Sequence, residues 1–263
     1  MKPGIFVRVA TWLVAGLLVL PVVVIIPMSF SADITFQFPP ESWSTRWYQN
    51  FFASEKWTFA LTNSLKVGLV TAVVATTVGT LASLGIARLP RKMRGVASSV
   101  VMMPLIIPNI LIALAIYATF LNLKLNGTLH GLVFAHTAIA LPFVVIAVNA
   151  RLQGIDKGLS AAAMSLGASP WGAFRQVVLP LLLPGVLSAA VLAFVTSFDE
   201  VVIALFLQTP ANTTLPVQMF NSVAIEIDPT ISAASSFVVV IVSAGILLGQ
   251  LAALRRRKGR VLS

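Results

Sequence analysis

Of 263 residues, 58% are hydrophobic and 10% are charged, and the mean hydropathy is +0.95. A soluble domain carries about 25% charged residues, so the solvent around this chain is largely lipid. The net charge of +10 does not point to nucleic acid, because the basic residues fall in the gaps between apolar runs and form no continuous basic face. With no cysteine, disulfides, thiolate metal sites and cysteine nucleophiles are excluded.

A spanning helix needs about 20 mostly apolar residues, and its backbone polar groups must be satisfied within the segment. Six runs qualify: residues 9–30, 64–88, 96–121, 129–149, 183–207 and 231–254. The chain therefore reads as an all-α polytopic membrane protein, a single transmembrane domain over residues 1–263. Lys2 and Arg8 before the first run, and Ser29, Ser31 and Ala32 after it, resemble a signal peptide. A signal core is only about 7–15 residues long, so an uncleaved first span is the preferred reading.

The segment 31–63 is long and rich in aromatic residues, among them Trp43, Trp47, Tyr48, Phe51, Phe52 and Trp57. Such residues favour the membrane interface; they suit either an interfacial anchor or a docking surface for an external partner. Gly68, Gly79 and Gly85 in the second run are expected to let helices pack closely. Pro104 and Pro108 should kink the third run, with Asn109 placed for a hydrogen bond across helices. His136 and Pro142 in the fourth run read as packing or gating residues; His130 and His136, the two histidines, are too few for a zinc site.

The fifth run holds Ser197, Phe198, Asp199 and Glu200. A charge at the bilayer centre costs about 2.5–3.5 kcal/mol on insertion scales. Neighbours on a helix are about 100° apart, so both acids cannot face one partner. Several resolutions stay open: one lines a solute path while the other meets an interhelical donor, a cationic solute or a residue of a second subunit compensates them, or one is protonated.

Orientation follows from the basic residues. Fourteen of eighteen fall in one alternate set of segments: Lys2, Arg8; Arg88, Arg91, Lys92, Arg94; Arg151, Lys157, Arg175; Arg255, Arg256, Arg257, Lys258 and Arg260. The positive-inside rule places that set, and both termini, in the cytoplasm.

One cytoplasmic segment, residues 151–182, is neither short nor simply polar. Asp156 and Ser160 suit a helix start, and Ala161, Ala162, Ala163, Met164 and Leu166 favour helix. Gly167 permits a turn, and Ser169-Pro170 opens a second helix whose apolar side carries Trp171, Phe174, Val177 and Val178. The expectation is a helix–turn–helix with an exposed small-residue elbow, suited to fill a groove on a partner.

This loop resembles the E-A-A-x3-G-x9-I-x-L-P element, the EAA loop, of ABC-importer permeases. Ala161, Ala162 and Ala163 stand at E-A-A, Gly167 at the glycine, and Val177, Leu179 and Pro180 at I-x-L-P, with every interval kept. Ala161 replaces the glutamate and Val177 the isoleucine. The resemblance implies a type I, methionine-importer-like permease fold in the bacterial inner membrane. It also implies a coupling helix, with Leu166, Ala168, Ser169 and Pro170 at the ATPase-docking elbow. The stretch 197–220 and the WSTRWYQNFF segment are similar to the spermidine/putrescine permease branch, which also resembles importers of aminophosphonates, opines and other small solutes. The expected partners are a second, non-identical permease, two ATPase chains that bind the ATP and magnesium, a periplasmic binding protein and a small solute. Asp199, Glu200, Phe198, Ser197 and Asn109 are the solute-path candidates.

No G-x-x-x-x-G-K-[ST], G-x-S-x-G or H-E-x-x-H run occurs, so the chain is expected to have no catalytic site or cofactor of its own. A secondary transporter would show matching halves; none is evident, and the acid pair has no counterpart in the first three runs.

Overall fold

The computed structural model describes the backbone of residues 4–35 and 37–261, and the side chains of these except 157 and 246–261. Lys2, and the side chains of Lys157 and of the basic residues from Arg255 to Arg260, used above for orientation, lie outside the described residues. Among the described residues every named element is helical: α1 (Ile5–Met28), α2 (Arg46–Ala53), α3 (Glu55–Arg88), α4 (Arg91–Met102), α5 (Asn109–Leu123), α6 (Leu129–Gln153), α7 (Lys157–Ser165), α8 (Pro170–Ala173), α9 (Leu179–Phe198), α10 (Val202–Leu207), α11 (Leu215–Ala224) and α12 (Thr230–Val261). α1, α3, α6 and the continuous run Pro170–Phe198 are each long and apolar enough to cross a membrane.

The backbone divides into two compact units, residues 1–58 with 219–263, and residues 59–218. In the first unit α12 packs on α1 and α2. Ser236 donates to the Ile25 carbonyl at 3.2 Å, while Phe51, Phe52 and Phe237 form an aromatic cluster. Polar ties close the unit: Asn50 donates to Thr230 Oγ1 at 2.7 Å, Trp57 Nε1 to Asp228 at 3.2 Å, and Lys56 to Glu226 at 2.6 Å. The aromatic segment is therefore partly helical and packed: Phe51 and Trp57 are buried, while Trp43 and Phe52 remain exposed.

The second unit is built on α6, whose buried residues lie all along its length. One apolar cluster joins it to α3, α5, α10 and α11 through Val67, Ala113, Leu132, Ile203 and Val217. Another joins it to α3 and α9 through Ala72, Ala75, Val144, Leu182 and Ala189. In the second cluster alanines dominate, because lipid supplies no hydrophobic drive between helices and close van der Waals contact must do the work.

Three expectations are corrected. The third run is not a kinked rod: Arg91–Leu105 and Asn109–Leu123 meet at 96°. Pro104 and Pro108 both lack an amide, and the chain between them passes through a 3₁₀ turn, Met103–Leu105, before restarting with Pro108 as N-cap. The fifth run starts at Pro170 and ends at Phe198, with α10 a separate short helix. Gly85 faces open space, unlike Gly68, whose Cβ position lies 3.0 Å from Phe194, and Gly79, whose Cβ position lies 2.5 Å from Val144 Cγ1.

Gly79→Ala is accordingly expected to cost about 1–3 kcal/mol by overpacking. Gly85→Ala is expected to be neutral or to stabilise by up to about 1 kcal/mol. Thermal unfolding of the detergent-solubilised chain, followed by circular dichroism, distinguishes the two.

Candidate functional site

Two features stand out in the second unit: the elbow after α7 and a cavity between two helix breaks.

At the elbow, Asp156 Oδ1 accepts from Gly158 N at 2.8 Å and caps α7. Gly167 then adopts φ +93°, its N–H donates to the Met164 carbonyl at 3.0 Å, and the Ala168 N–H reaches back to Ala163 O at 3.1 Å. This pair of bonds is a Schellman motif, which satisfies the last carbonyls of a helix and needs a left-handed residue where this glycine sits. Ser169 Oγ accepts from Gly172 N at 3.0 Å and caps the next helix, with Pro170 at its first position. The helix–turn–helix expected from the sequence is thus present. Ala161 and Ala162 are exposed and Ala163 half-buried on α7; Leu166 at the elbow is 90% exposed and Trp171 68% exposed, stacked on Phe174.

The second helix does not stop at the loop. A π-helical turn, Phe174–Val178, carries it into α9. Pro180 explains the turn: in strict α register its ring would crowd the carbonyl four residues back, and a π-bulge relieves such a conflict. Leu179 and Pro180 therefore lie inside one rod running from the elbow to Phe198. Arg151, at the end of α6, ties onto this rod by donating from Nε to the Leu181 carbonyl at 2.7 Å.

The rod ends at a cavity of about 510 Å³, set between the break at 103–108 and the break at 199–201 and lined by Pro104, Asn109, Phe143, Asp199 and Glu200 among others. Irregular backbone at membrane depth is tolerated where it is buried in protein or lines a cavity, and broken helices often mark transport sites. Asp199 caps the C-terminus of α9 and is exposed to the cavity; Asn109 opens α5 on the opposite wall. Glu200 is buried, and its Oε2 accepts from Ile203 N at 2.9 Å and Ala204 N at 3.1 Å. The two acids do not continue a helix, so the 100° separation does not apply to them: one faces the cavity and the other caps α10. Ser197 is buried and turned to His136 at 2.8 Å, and Phe198 stacks on Phe194. Of the five solute-path candidates, Asn109, Asp199 and Glu200 line the cavity, whereas Ser197 and Phe198 support it.

Sequence reasoning took His136 as a packing or gating residue and Arg151 as a marker of orientation, and found neither one's partner. A lone histidine in an apolar run carries no sign of its partner until α9 is placed beside α6. Among the described residues no three His, Asp or Glu side chains converge on a metal-sized space.

Residues 75–258 match the family described as binding-protein-dependent transport system inner membrane component, and the chain belongs to that family. It is therefore an ABC importer permease, a transport subunit of the inner membrane whose family works with a periplasmic binding protein and further subunits. Among its relatives, the spermidine/putrescine transport system permease protein PotC of Escherichia coli K12 is 28% identical over 242 residues, covering 92% of this chain and 91% of that one. The putrescine transport system permease protein PotI of the same strain is 31% identical over 204 residues, covering 74% and 72%. The crystal structure of a bacterial ABC transporter importing alginate, an acidic polysaccharide, contains a chain that superposes with a TM-score of 0.71 at 14% identity, covering 94% of this chain and 95% of that one. The all-α architecture is that of a type I importer permease.

Glu200→Ala strips the acceptor from two buried amides and is expected to cost about 1–3 kcal/mol, whereas Glu200→Gln keeps an acceptor and costs less. Thermal unfolding of the two variants in detergent, beside the parent chain, checks the order.

Proposed function

We propose that this chain is one of two non-identical permease subunits of an ATP-driven importer whose cargo is a small polycation of the spermidine or putrescine type, moved by alternating access. The observation that carries the reading is the cavity between the two breaks. It presents Asp199 as a carboxylate already freed from capping duty, because Glu200 satisfies the α10 amides. A fixed anion in a low-dielectric cavity favours a cation strongly, and the volume is within the ordinary range of about 300–1,000 Å³ for small-molecule sites. The similarity to PotC and PotI supports the same solute class. An aminophosphonate, an opine or another small organic solute is the competing cargo.

In this reading the elbow from Ala161 to Pro170 is the coupling helix. It docks on one of two ATPase chains, which bind the ATP and magnesium, and Leu166 and Trp171 are the apolar knobs. Both termini face the cytoplasm, as the basic residues suggest. Closure of the ATPases pulls on the elbow, and the rod Pro170–Phe198 transmits the pull to Asp199. A periplasmic binding protein delivers the cargo from the other side.

The test is uptake of radiolabelled spermidine and putrescine by the assembled importer in proteoliposomes, with its own binding protein. Saturable, ATP-dependent uptake is expected, and Asp199→Asn should lower it by about tenfold or more, the scale of one lost charge-assisted contact. Uptake of an anionic or zwitterionic solute with none of either polyamine sinks the cargo assignment. Gly167→Asp is expected to abolish uptake while leaving membrane insertion intact, since a side chain at φ +93° is strained and the elbow changes shape. Undiminished uptake by that variant sinks the coupling role.

A further inference from the structure

His136 sits on α6 with 1% of its surface exposed. Its Nδ1 is 2.8 Å from Ser197 Oγ, near the end of α9. Its Nε2 has no hydrogen-bond partner and points toward Glu200 Oε2 at 3.9 Å. A neutral imidazole carries one proton, and its position follows from the neighbours. A carboxylate near Nε2 favours the proton there, and Ser197 can then donate its hydroxyl proton to Nδ1. The result is a buried N–H donor aimed at a carboxylate and short of bonding it by about 1 Å. Leaving such a donor unmade in an apolar interior is costly.

The carboxylate it faces is occupied elsewhere, because Oε2 of Glu200 already holds the Ile203 and Ala204 amides. Two sets of donors, the start of α10 and the ring of α6, therefore address one oxygen. The segment between them is the break at 199–201, where Asp199 N–H still bonds the Val195 carbonyl at 3.0 Å and the Val201 carbonyl accepts from Leu205 N at 2.9 Å, so that Glu200 alone stands between the two helical ladders.

We propose that His136 is a positioning residue for the cavity: it gives the Glu200 carboxylate a second seat, so that the break at 199–201 alternates between a state with Glu200 on the α10 amides and a state with Glu200 on His136 Nε2. In the structure the first seat is taken. Moving to the second frees the Ile203 and Ala204 amides and draws residues 199–201 toward α6, shifting Asp199 on the cavity wall. Ser197 keeps the ring aimed throughout. The transport consequence rests on the importer reading above; the exchange between seats does not.

Two substitutions separate the ring's two nitrogens. His136→Asn places an acceptor where Nδ1 stands and keeps the Ser197 bond but loses the donor toward Glu200. His136→Gln reaches the Nε2 position and keeps that donor. The first readout is hydrogen exchange at the Ile203 and Ala204 amides of the full chain in lipid nanodiscs, which needs neither cargo nor partner. With the second seat removed, His136→Asn leaves Glu200 on the amides, so exchange there is expected to slow several-fold, while His136→Gln stays near the parent. A merely structural role predicts the reverse, since a loosened core speeds exchange. The second readout is ATP hydrolysis by the assembled importer as its binding protein is titrated. His136→Asn should lower the maximal rate by about tenfold with the half-saturating concentration unchanged, and His136→Gln should restore most of it. Where His136→Asn fails to fold, Ser197→Ala releases the ring from its other side and is expected to slow the same two amides. Unchanged or faster exchange in the folded variants overturns the proposal, as does a His136→Gln protein that behaves like His136→Asn. Slowed exchange beside a failure to take up polyamines leaves the two-seat carboxylate standing and removes only the cargo assignment.

Discussion

The second unit depends on one constraint: a helix interrupted in an apolar interior must find partners for the backbone groups that the interruption frees. At 199–201 a single side chain meets it, the Glu200 carboxylate on the amides of Ile203 and Ala204. At 103–108 the chain meets it by composition instead. Pro104 and Pro108 carry no amide to satisfy, and Ile106 and Ile107 both donate to the Met103 carbonyl. The cavity exists because both breaks are closed in this way and face it across a gap lined by Ile139 and Phe143 of α6.

α6 is the helix on which the other elements of the unit pack. Its contacts with α3 and α9 are made largely through alanines, valines and the glycine at position 79, with Leu182 the one larger buried side chain, so the axes approach closely. The rod Pro170–Phe198 lies along it and spans about 42 Å at 1.5 Å per residue. Its ends are the two chemically marked places of the unit, the Gly167 elbow and the Asp199 break. A single packed helix joins the two ends, and its one departure from α geometry is the π turn at Phe174–Val178. Arg151 grips the rod just beyond that turn, at the Leu181 carbonyl.

How much of this could be read from residues alone follows from what each signal measures. Apolar run length located the helices, because it reports the solvent of each segment. It misplaced the ends of the third and fifth runs, because a broken helix and an unbroken one bury the same composition. The breaks did leave marks: Pro104 with Pro108, and two acids in an apolar run. The first was read as a kink and not a 96° turn, since proline fixes φ without fixing the direction of the chain after it. The elbow was read well because a Schellman motif and a serine cap are local, each decided within about six residues. His136 was not, because its meaning lies in Ser197 and Glu200, sixty-one and sixty-four positions further on. Gly85 shows the opposite error: a glycine in a span looks like a packing residue whether or not a neighbour is there.

The adjacent acids illustrate why position in the backbone outranks residue type. Asp199 and Glu200 are one bond apart and chemically alike, yet a helix that stops between them gives them unlike work. Asp199, at the C-terminal end of α9, sits where the helix dipole is negative and disfavours a second negative charge. Glu200, two residues before α10, sits where the next dipole is positive and where free amides await an acceptor. The longer side chain reaches those amides, and the shorter one is left facing the cavity. A donor approaching Glu200 must compete with the amides that its carboxylate already holds. The asymmetry between the two acids originates in the three residues where the fifth run ceases to be a helix.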